Sequence, residues 1–68
     1  MLVRITVNGQ SMDVAEGTSV DVLLRELAVA RQFTAVAVNR EITPKSAYAT
    51  TLLSAGDRVE IVKPMGGG

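Results

Sequence analysis

The sequence predicts a small α+β domain in which one helix packs on a mixed β-sheet. Three observations lead to this class: alternating hydrophobic segments in both halves of the chain, one segment with helical spacing between them, and no cysteine or histidine. A chain of 68 residues forms at most one domain. Disulfides and the usual zinc or iron–sulfur centres are excluded, so stability must come from packing, which the 47% hydrophobic content supports.

The N-terminal segment predicts a β-hairpin. LVRITVN alternates between apolar and polar residues, as a half-buried strand does. The dipeptide Asn8-Gly9 is the strongest short hairpin signal, because both residues tolerate positive φ. QSMDVA then pairs back, and Glu16-Gly17 ends the hairpin. The side chains expected to face inward are Val3, Ile5, Val7, Met12 and Val14.

The segment TSVDVLLRELAVA, residues 18–30, predicts the helix. Thr18 is the expected N-cap, with Asp21 reaching back in the manner of a capping box. Asp21 also suits the positive end of the helix dipole and pairs with Arg25. Val22 lies off the apolar stripe. The stripe packs on the sheet and consists of Val20, Leu23, Leu24 and Leu27.

The second half predicts three more strands. TAVAVN is the third, with Val36 and Val38 on one face, and NRE is a turn. Thr43 is expected to cap a short helical turn with Pro44 at its first position. Tyr48 is expected to tie this irregular stretch to the sheet edge. TTLL, residues 50–53, is the fourth strand, and the turn SAGD follows it.

RVEIV is the last predicted strand, with Val59 and Ile61 pointing to one side. Pro64 ends it, because proline has no donor for a ladder hydrogen bond. The predicted organisation is therefore a domain over residues 1–64 and a flexible, glycine-rich tail over residues 65–68. A final strand that returns beside the first gives the ubiquitin-like β-grasp arrangement, with four to five strands on one helix.

One face of this sheet has no helix to cover it. Val62 and the alanines of the third strand are expected to lie there, with Glu60 beside them. An exposed apolar patch on a small protein often marks a partner surface. We therefore predict that Val62 and Glu60 belong to a partner-binding surface.

Composition excludes several classes of function. Seven Lys and Arg balance seven Asp and Glu with no run of either sign, which argues against nucleic-acid and anionic-membrane partners. No stretch is long enough to span a bilayer and no signal peptide is evident, so the expected location is the cytoplasm. Without His or Cys, the usual base and thiol nucleophile are missing, and a self-contained enzyme is not expected.

The chain stops on KPMGGG, which predicts a use for its terminal carboxylate. Because glycine has no side chain, a glycine-rich backbone can enter a narrow channel. Ordering a glycine costs more conformational entropy than ordering any other residue. A carboxylate becomes an acyl donor once an ATP-dependent partner adenylates it. The alternative interpretation is that the glycines are a frayed terminus without a function. The strand-ending Pro64 and the β-grasp pattern favour the functional interpretation.

The whole chain resembles the ThiS-type sulfur carrier family of thiamin thiazole biosynthesis. The resemblance is carried by VNG at the hairpin, EGTSVDVLLREL at the helix, VAVNREITPKSAYATT, AGDRVEIV and the terminal GGG. These segments are spread from Val7 to Gly68, so the resemblance extends over most of the chain.

The resemblance implies a carrier that is a protein co-substrate and not an enzyme. Gly68 would be adenylated by an E1-like activating enzyme that uses ATP and magnesium, with no cofactor bound to the carrier itself. A cysteine-desulfurase persulfide relay would then place sulfur there as a thiocarboxylate, and a thiazole synthase would accept it. Gly67 and Gly66 would be the tail that enters the partners' active sites. Met65 matches a variable position before them.

Several alternatives stay open at this level. Related carriers serve molybdopterin, cysteine, methionine or secondary-metabolite pathways, and ubiquitin-like modifiers share the glycine-rich end. A β-grasp module that binds RNA or a small ligand is the alternative of another class. Neutral charge and only two aromatic residues weigh against an RNA stacking surface.

Overall fold

Five strands and one α-helix make up the part of the chain that the computed structural model describes, residues 1–30 and 34–62. They form one sheet of strand order β2-β1-β5-β3-β4. A five-stranded mixed sheet on one helix confirms the predicted fold class. The elements are β1 Leu2–Val7, β2 Gln10–Ala15, α1 Val20–Glu26, β3 Ala35–Val38, β4 Glu41–Thr43 and β5 Arg58–Val62, with a 3₁₀ turn at Lys45–Ala47.

The predicted first hairpin is confirmed. β1 and β2 pair antiparallel from Val7 opposite Gln10 to Leu2 opposite Ala15. The two turn residues between them have positive φ, 49° at Asn8 and 85° at Gly9. Two consecutive residues of this kind match the right-handed twist of the strands, which is why NG is the preferred sequence here.

The helix begins one residue later than the sequence predicts. The N-cap is Ser19, whose backbone is extended and whose Oγ accepts a hydrogen bond from the Val22 N–H at 3.2 Å. The prediction of Thr18 was wrong because its hydroxyl donates to the Ala15 carbonyl at 2.6 Å instead. With Ser19 as the cap, Val22 stands at the third helical position, so Asp21 is not the capping-box residue. Asp21 still lies in the first turn and pairs with Arg25 at 3.4 Å.

The helix is also shorter than predicted. It ends at Glu26, with Leu27 as the C-cap and Ala28 at a positive φ of 58°. A left-handed residue cannot continue a right-handed helix. Leu27, which was predicted to be part of the stripe, is therefore exposed.

The fourth strand is not where the sequence places it. β4 is Glu41–Thr43 and forms a hairpin with β3 through a turn in which Asn39 and Arg40 both have positive φ. TTLL forms no strand of the sheet, and Leu52 makes only an isolated bridge to Ser19. The predicted turn at NRE is confirmed, but the strand after it was missed because β4 has only three residues, too few for an alternating pattern to stand out.

Thr43 does not cap the short helical turn, because it belongs to β4. Pro44 occupies the cap position of the 3₁₀ turn and provides no side-chain hydrogen bond. Tyr48 follows this turn and lies in the core, and its carbonyl accepts the Asp21 N–H at 3.0 Å. Tyr48 thus ties the irregular stretch to the start of α1, while its expected contact with the sheet edge stays a prediction.

The core lies between α1 and one face of the sheet. Ile5 of β1, Val14 of β2, Val36 of β3 and Val59 of β5 face the helix. The buried cluster is completed by Val20, Leu23 and Leu24 from α1, and by Tyr48 and Leu53. Among the described residues, no buried side-chain nitrogen or oxygen lacks a hydrogen-bond partner.

β5 occupies the centre of the sheet. It pairs parallel with β1 at Thr6–Arg58 and Val7–Val59, and antiparallel with β3 from Val38–Val59 to Ala35–Val62. The predicted turn before it is confirmed, with Gly56 at a positive φ of 86°. The C-terminal strand is therefore held from both sides within the sheet.

Candidate functional site

The candidate site begins where β5 ends, at Val62. The predicted strand end at Pro64, the predicted tail of Met65, Gly66 and Gly67, and the predicted reactive Gly68 all lie outside the described residues, as does the domain boundary after residue 64. The structure therefore shows the base from which this segment continues. That base is the end of β5, the central strand of the sheet, which begins at Arg58.

Asn8 holds the last part of β5 on the side of β1. Its backbone N–H donates to the Val59 carbonyl at 2.9 Å. Its side-chain Oδ1 accepts the Ile61 N–H at 2.8 Å, and its Nδ2 donates to the Ile61 carbonyl at 3.3 Å. The side-chain amide thus binds both main-chain groups of one residue, as a neighbouring strand would.

Asn39 holds the other end of β5 in a similar way. Its backbone N–H donates to the Arg58 carbonyl at 2.7 Å, and its Oδ1 accepts the Arg58 N–H at 3.0 Å. Its Nδ2 donates to Asp57 Oδ1 at 3.0 Å. Asn8 and Asn39 are both first residues of a two-residue turn with positive φ. Two turn asparagines therefore fix the end and the start of β5.

The face of the sheet opposite α1 carries an apolar patch beside the end of β5. Val62 is 61% exposed and lies opposite Ala35, while Ile42 is 73% exposed and lies opposite Ala37. Glu60 borders this patch, since it also pairs with Ala37. We call Val62, Ala35, Ala37 and Ile42 the open-face patch. Val62 and Glu60, the two residues predicted for a partner surface, thus lie on the same face of the sheet. Their role in binding stays a prediction.

Apart from Leu2 and Ala15, which lie opposite each other at the start of β1, the rest of the open face is polar. Arg4 and Asp13 face each other across β1 and β2, with Arg4 Nε 3.1 Å from Asp13 Oδ1. The hydrogen bond and the charge of Asp13 raise the pKa of the Arg4 guanidinium above its ordinary value. Since Arg4 is exposed, this pair contributes little to stability. It lies on the β1 and β2 side of the sheet, away from the open-face patch.

Sequence reasoning missed two of these features. Ile42 escaped because β4 was not predicted, although the alternation in EIT is a signal for it. The Asn8 contact to Ile61 escaped because it joins residues 53 positions apart. A turn asparagine is explained by its backbone alone, and nothing local marks its side chain as a partner for a distant strand.

Within residues 1–30 and 34–62, no group of three or more His, Cys, Asp or Glu side chains is placed to hold a metal ion. In the same part of the chain, no helix is both long and apolar enough to cross a membrane.

A small β-grasp domain with its C-terminal strand in the centre of the sheet defines a class of compact ubiquitin-like proteins. A crystal structure of the thiamine biosynthesis protein ThiS from Geobacter metallireducens superposes with a TM-score of 0.84 at 38% sequence identity, covering 97% of this chain and 100% of that one. A solution structure of a thiamine biosynthesis protein from the same organism gives a TM-score of 0.79 at 38% identity, covering 97% and 88%.

The ThiS family model matches residues 5–68. The sulfur carrier protein ThiS of Escherichia coli is 31% identical over 65 residues, which are 96% of this chain and 98% of that protein. The chain therefore belongs to the ThiS family, the sulfur carriers of thiamin biosynthesis. A thiazole synthase from Paramagnetospirillum magneticum is 40% identical over 65 residues, and the chain spans only 20% of the length of that relative.

Proposed function

We propose that this chain carries sulfur as a thiocarboxylate on Gly68 and donates it to thiazole formation. The observation that carries the proposal is the family match, which runs through the terminal glycines to residue 68. The fold supports it, because β5 ends at Val62 and six residues follow in the sequence. Six residues span at most about 20 Å when fully extended, enough to reach into a partner's cleft.

The chemistry is supplied by partners in this proposal. An E1-like enzyme, using ATP and magnesium, joins the Gly68 carboxylate to AMP and releases pyrophosphate. A persulfide from a cysteine-desulfurase relay attacks the acyl carbon and displaces AMP, and a thiol then frees the thiocarboxylate. The carrier itself is not catalytic. The absence of His and Cys from the sequence supports this division of labour.

The proposed acceptor of the sulfur is a thiazole synthase. A region similar to this chain makes up 20% of the thiazole synthase relative. Joining a carrier to its acceptor raises their effective concentration without any new contact. This relationship supports a thiazole synthase as the partner of this chain.

Intact mass spectrometry tests the proposal. The chain is incubated with an E1-like adenylating enzyme from the same organism, ATP, magnesium, a cysteine desulfurase and cysteine. We expect an ATP-dependent species in which one oxygen has been replaced by sulfur, and an adenylate when cysteine is left out. If neither species forms, the proposal is wrong. Conjugation to lysines of other proteins would indicate a ubiquitin-like modifier instead.

Placing a charge in the open-face patch is expected to weaken partner binding. Val62→Asp introduces a carboxylate on a surface that would lose water in a complex, and we expect the Kd for the adenylating enzyme to rise about tenfold or more. Glu60→Lys reverses the bordering charge and tests the rim. Isothermal titration calorimetry measures both effects.

Leu52→Asp is the matched control for Val62→Asp. The exposed fraction of Leu52 is 59%, similar to the 61% of Val62, but Leu52 lies outside the five strands. We expect this variant to bind like the wild-type chain, and all three variants to keep the wild-type circular dichroism spectrum. Equal affinity of Val62→Asp and wild type would show that the open-face patch is not the docking surface.

A further inference from the structure

We propose that Asn8 is a positioning residue for the reactive end of the chain. It acts through Ile61, whose main-chain N–H and carbonyl its side chain binds. This role rests on the proposed function, since it concerns the presentation of Gly68. The inference comes from how Asn8 completes the pairing of β5 beyond the point where β1 has turned away.

β1 stops accompanying β5 before β5 ends. The parallel register covers Thr6–Arg58 and Val7–Val59, and the backbone N–H of Asn8 reaches the Val59 carbonyl. At Asn8 the chain turns into the hairpin with β2. β5 continues to Val62 and so passes the end of the β1 backbone. A backbone without a partner on one side opens more readily than one paired on both sides.

The Asn8 side chain replaces the missing strand. Its amide oxygen and nitrogen bind the N–H and the carbonyl of Ile61, at 2.8 and 3.3 Å. β3 meanwhile pairs with Val62 through Ala35 on the opposite edge of β5. Of the last two described residues of β5, Ile61 is therefore held by Asn8 on one side and Val62 by Ala35 of β3 on the other. The direction in which the chain leaves the sheet is set at these two residues.

That direction matters because the reactive end lies six residues further on. A change of direction at the base shifts the range of positions that Gly68 can reach, which extends at most about 20 Å from Val62. A partner that accepts only one direction of entry binds the fraction of molecules that present it, so the apparent affinity falls with that fraction. Loss of the Asn8 contact is therefore expected to raise KM more than it lowers kcat.

Asparagine is well suited to both tasks at this position. The turn requires a positive φ, which asparagine and glycine tolerate best. Of these two residues, only asparagine has a side chain, and that side chain carries both a hydrogen-bond acceptor and a donor. Asn8→Gly therefore preserves the turn and removes the contact to Ile61, whereas Asn8→Asp keeps the acceptor for the Ile61 N–H and loses the donor.

Asn39→Gly is the matched control. Asn39 has the same turn position and a similar φ of 52°, and like Asn8 it donates its backbone N–H to β5 and accepts a β5 N–H at its Oδ1. Its contact is with Arg58, at the start of β5. Both glycine variants lose a turn asparagine, but only Asn8→Gly releases the end from which residues 63–68 continue.

The test combines amide hydrogen exchange with kinetics of adenylation by the E1-like enzyme. For Asn8→Gly we expect exchange at the Ile61 N–H to accelerate about tenfold and KM for the chain to rise about five- to tenfold, with kcat nearly unchanged. Asn8→Asp should fall between this variant and the wild type. Asn39→Gly should accelerate exchange at Arg58 and leave KM unchanged.

Each failure has its own signature. If Asn8→Gly and Asn39→Gly raise KM equally, or if Asn8→Gly leaves KM unchanged, the positioning role is wrong while the carrier function stands. If Asn8→Gly does not fold, Asn8→Asp decides the question by the same two measurements. If the wild-type chain is not adenylated at all, the proposed function fails, and the positioning role fails with it.

Discussion

Deleting residues 66–68 is expected to abolish ATP-dependent modification of the chain. The new terminal carboxylate would belong to Met65, and the reach of the segment would shorten by about 10 Å. Misplacing a reacting group by as little as about 1 Å can cost about a hundredfold in rate, so no product should be detected. Intact mass spectrometry with the adenylating enzyme, ATP and magnesium measures this directly.

Deletion of Gly68 alone is the graded version of this experiment. It keeps a glycine end and shortens the chain by one residue, about 3.5 Å. We expect adenylation to slow at least about tenfold, because the carboxylate stops short of the reacting position. Neither deletion removes a residue of the buried cluster, so the thermal midpoint should stay at the wild-type value. Wild-type modification rates in the longer deletion would contradict the proposed role of the tail.

Leu23→Ala is expected to remove most of the stability of the domain. Leu23 is fully buried in the middle of α1, within the cluster formed by the helix and the sheet. Truncating a buried leucine costs about 2–5 kcal/mol, including the cavity that it leaves. A domain of this length has a free energy of unfolding of about 3–10 kcal/mol. Urea unfolding followed by circular dichroism measures the loss.

Val22→Ala provides the control on the same helix. Val22 is 36% exposed and lies off the buried stripe, so we expect a change in the free energy of unfolding of less than about 1 kcal/mol. Alanine has the higher helix propensity, which partly offsets the lost contact. Similar losses in the two variants would mean that the helix does not pack on the sheet by the face described above.

The pattern of elements was largely predictable because it is written in local spacing. Alternation gave β1, β2, β3 and β5 and their inward faces, and the NG dipeptide gave the first turn. The stripe of Val20, Leu23 and Leu24 gave the helix and the face that it buries. Each of these signals involves residues a few positions apart, where side-chain direction follows directly from backbone geometry.

The errors in predicting the elements arose where two residues or two segments could take the same role. Thr18 and Ser19 are both good caps, and the choice fell to Ser19 because the Thr18 hydroxyl bonds to Ala15 at the end of the first hairpin. TTLL and EIT are both short segments with strand propensity. EIT won because the turn at Asn39 brings it back alongside β3, whereas Leu52 reaches only Ser19.

The candidate site divides in the same way. The sequence indicated a C-terminal segment with a reactive Gly68, an uncovered sheet face, and Val62 and Glu60 upon it. It did not indicate that Ile42 would join Val62 and the alanines of β3 in one patch, because that depends on the register of three strands. Nor did it indicate a role for Asn8 beyond its turn.

The sequence by itself determined the strands and helix with their buried faces, the family to which the chain belongs, and the glycine-rich segment on which its proposed chemistry depends. The tertiary structure alone decided which residue caps the helix, which segment forms the fourth strand, and that Asn8 meets Ile61 across 53 positions of sequence. The reason is physical. Periodicity and turn conformation are set by neighbours along the chain, whereas cross-strand contacts exist only once the sheet has chosen its strand order and register.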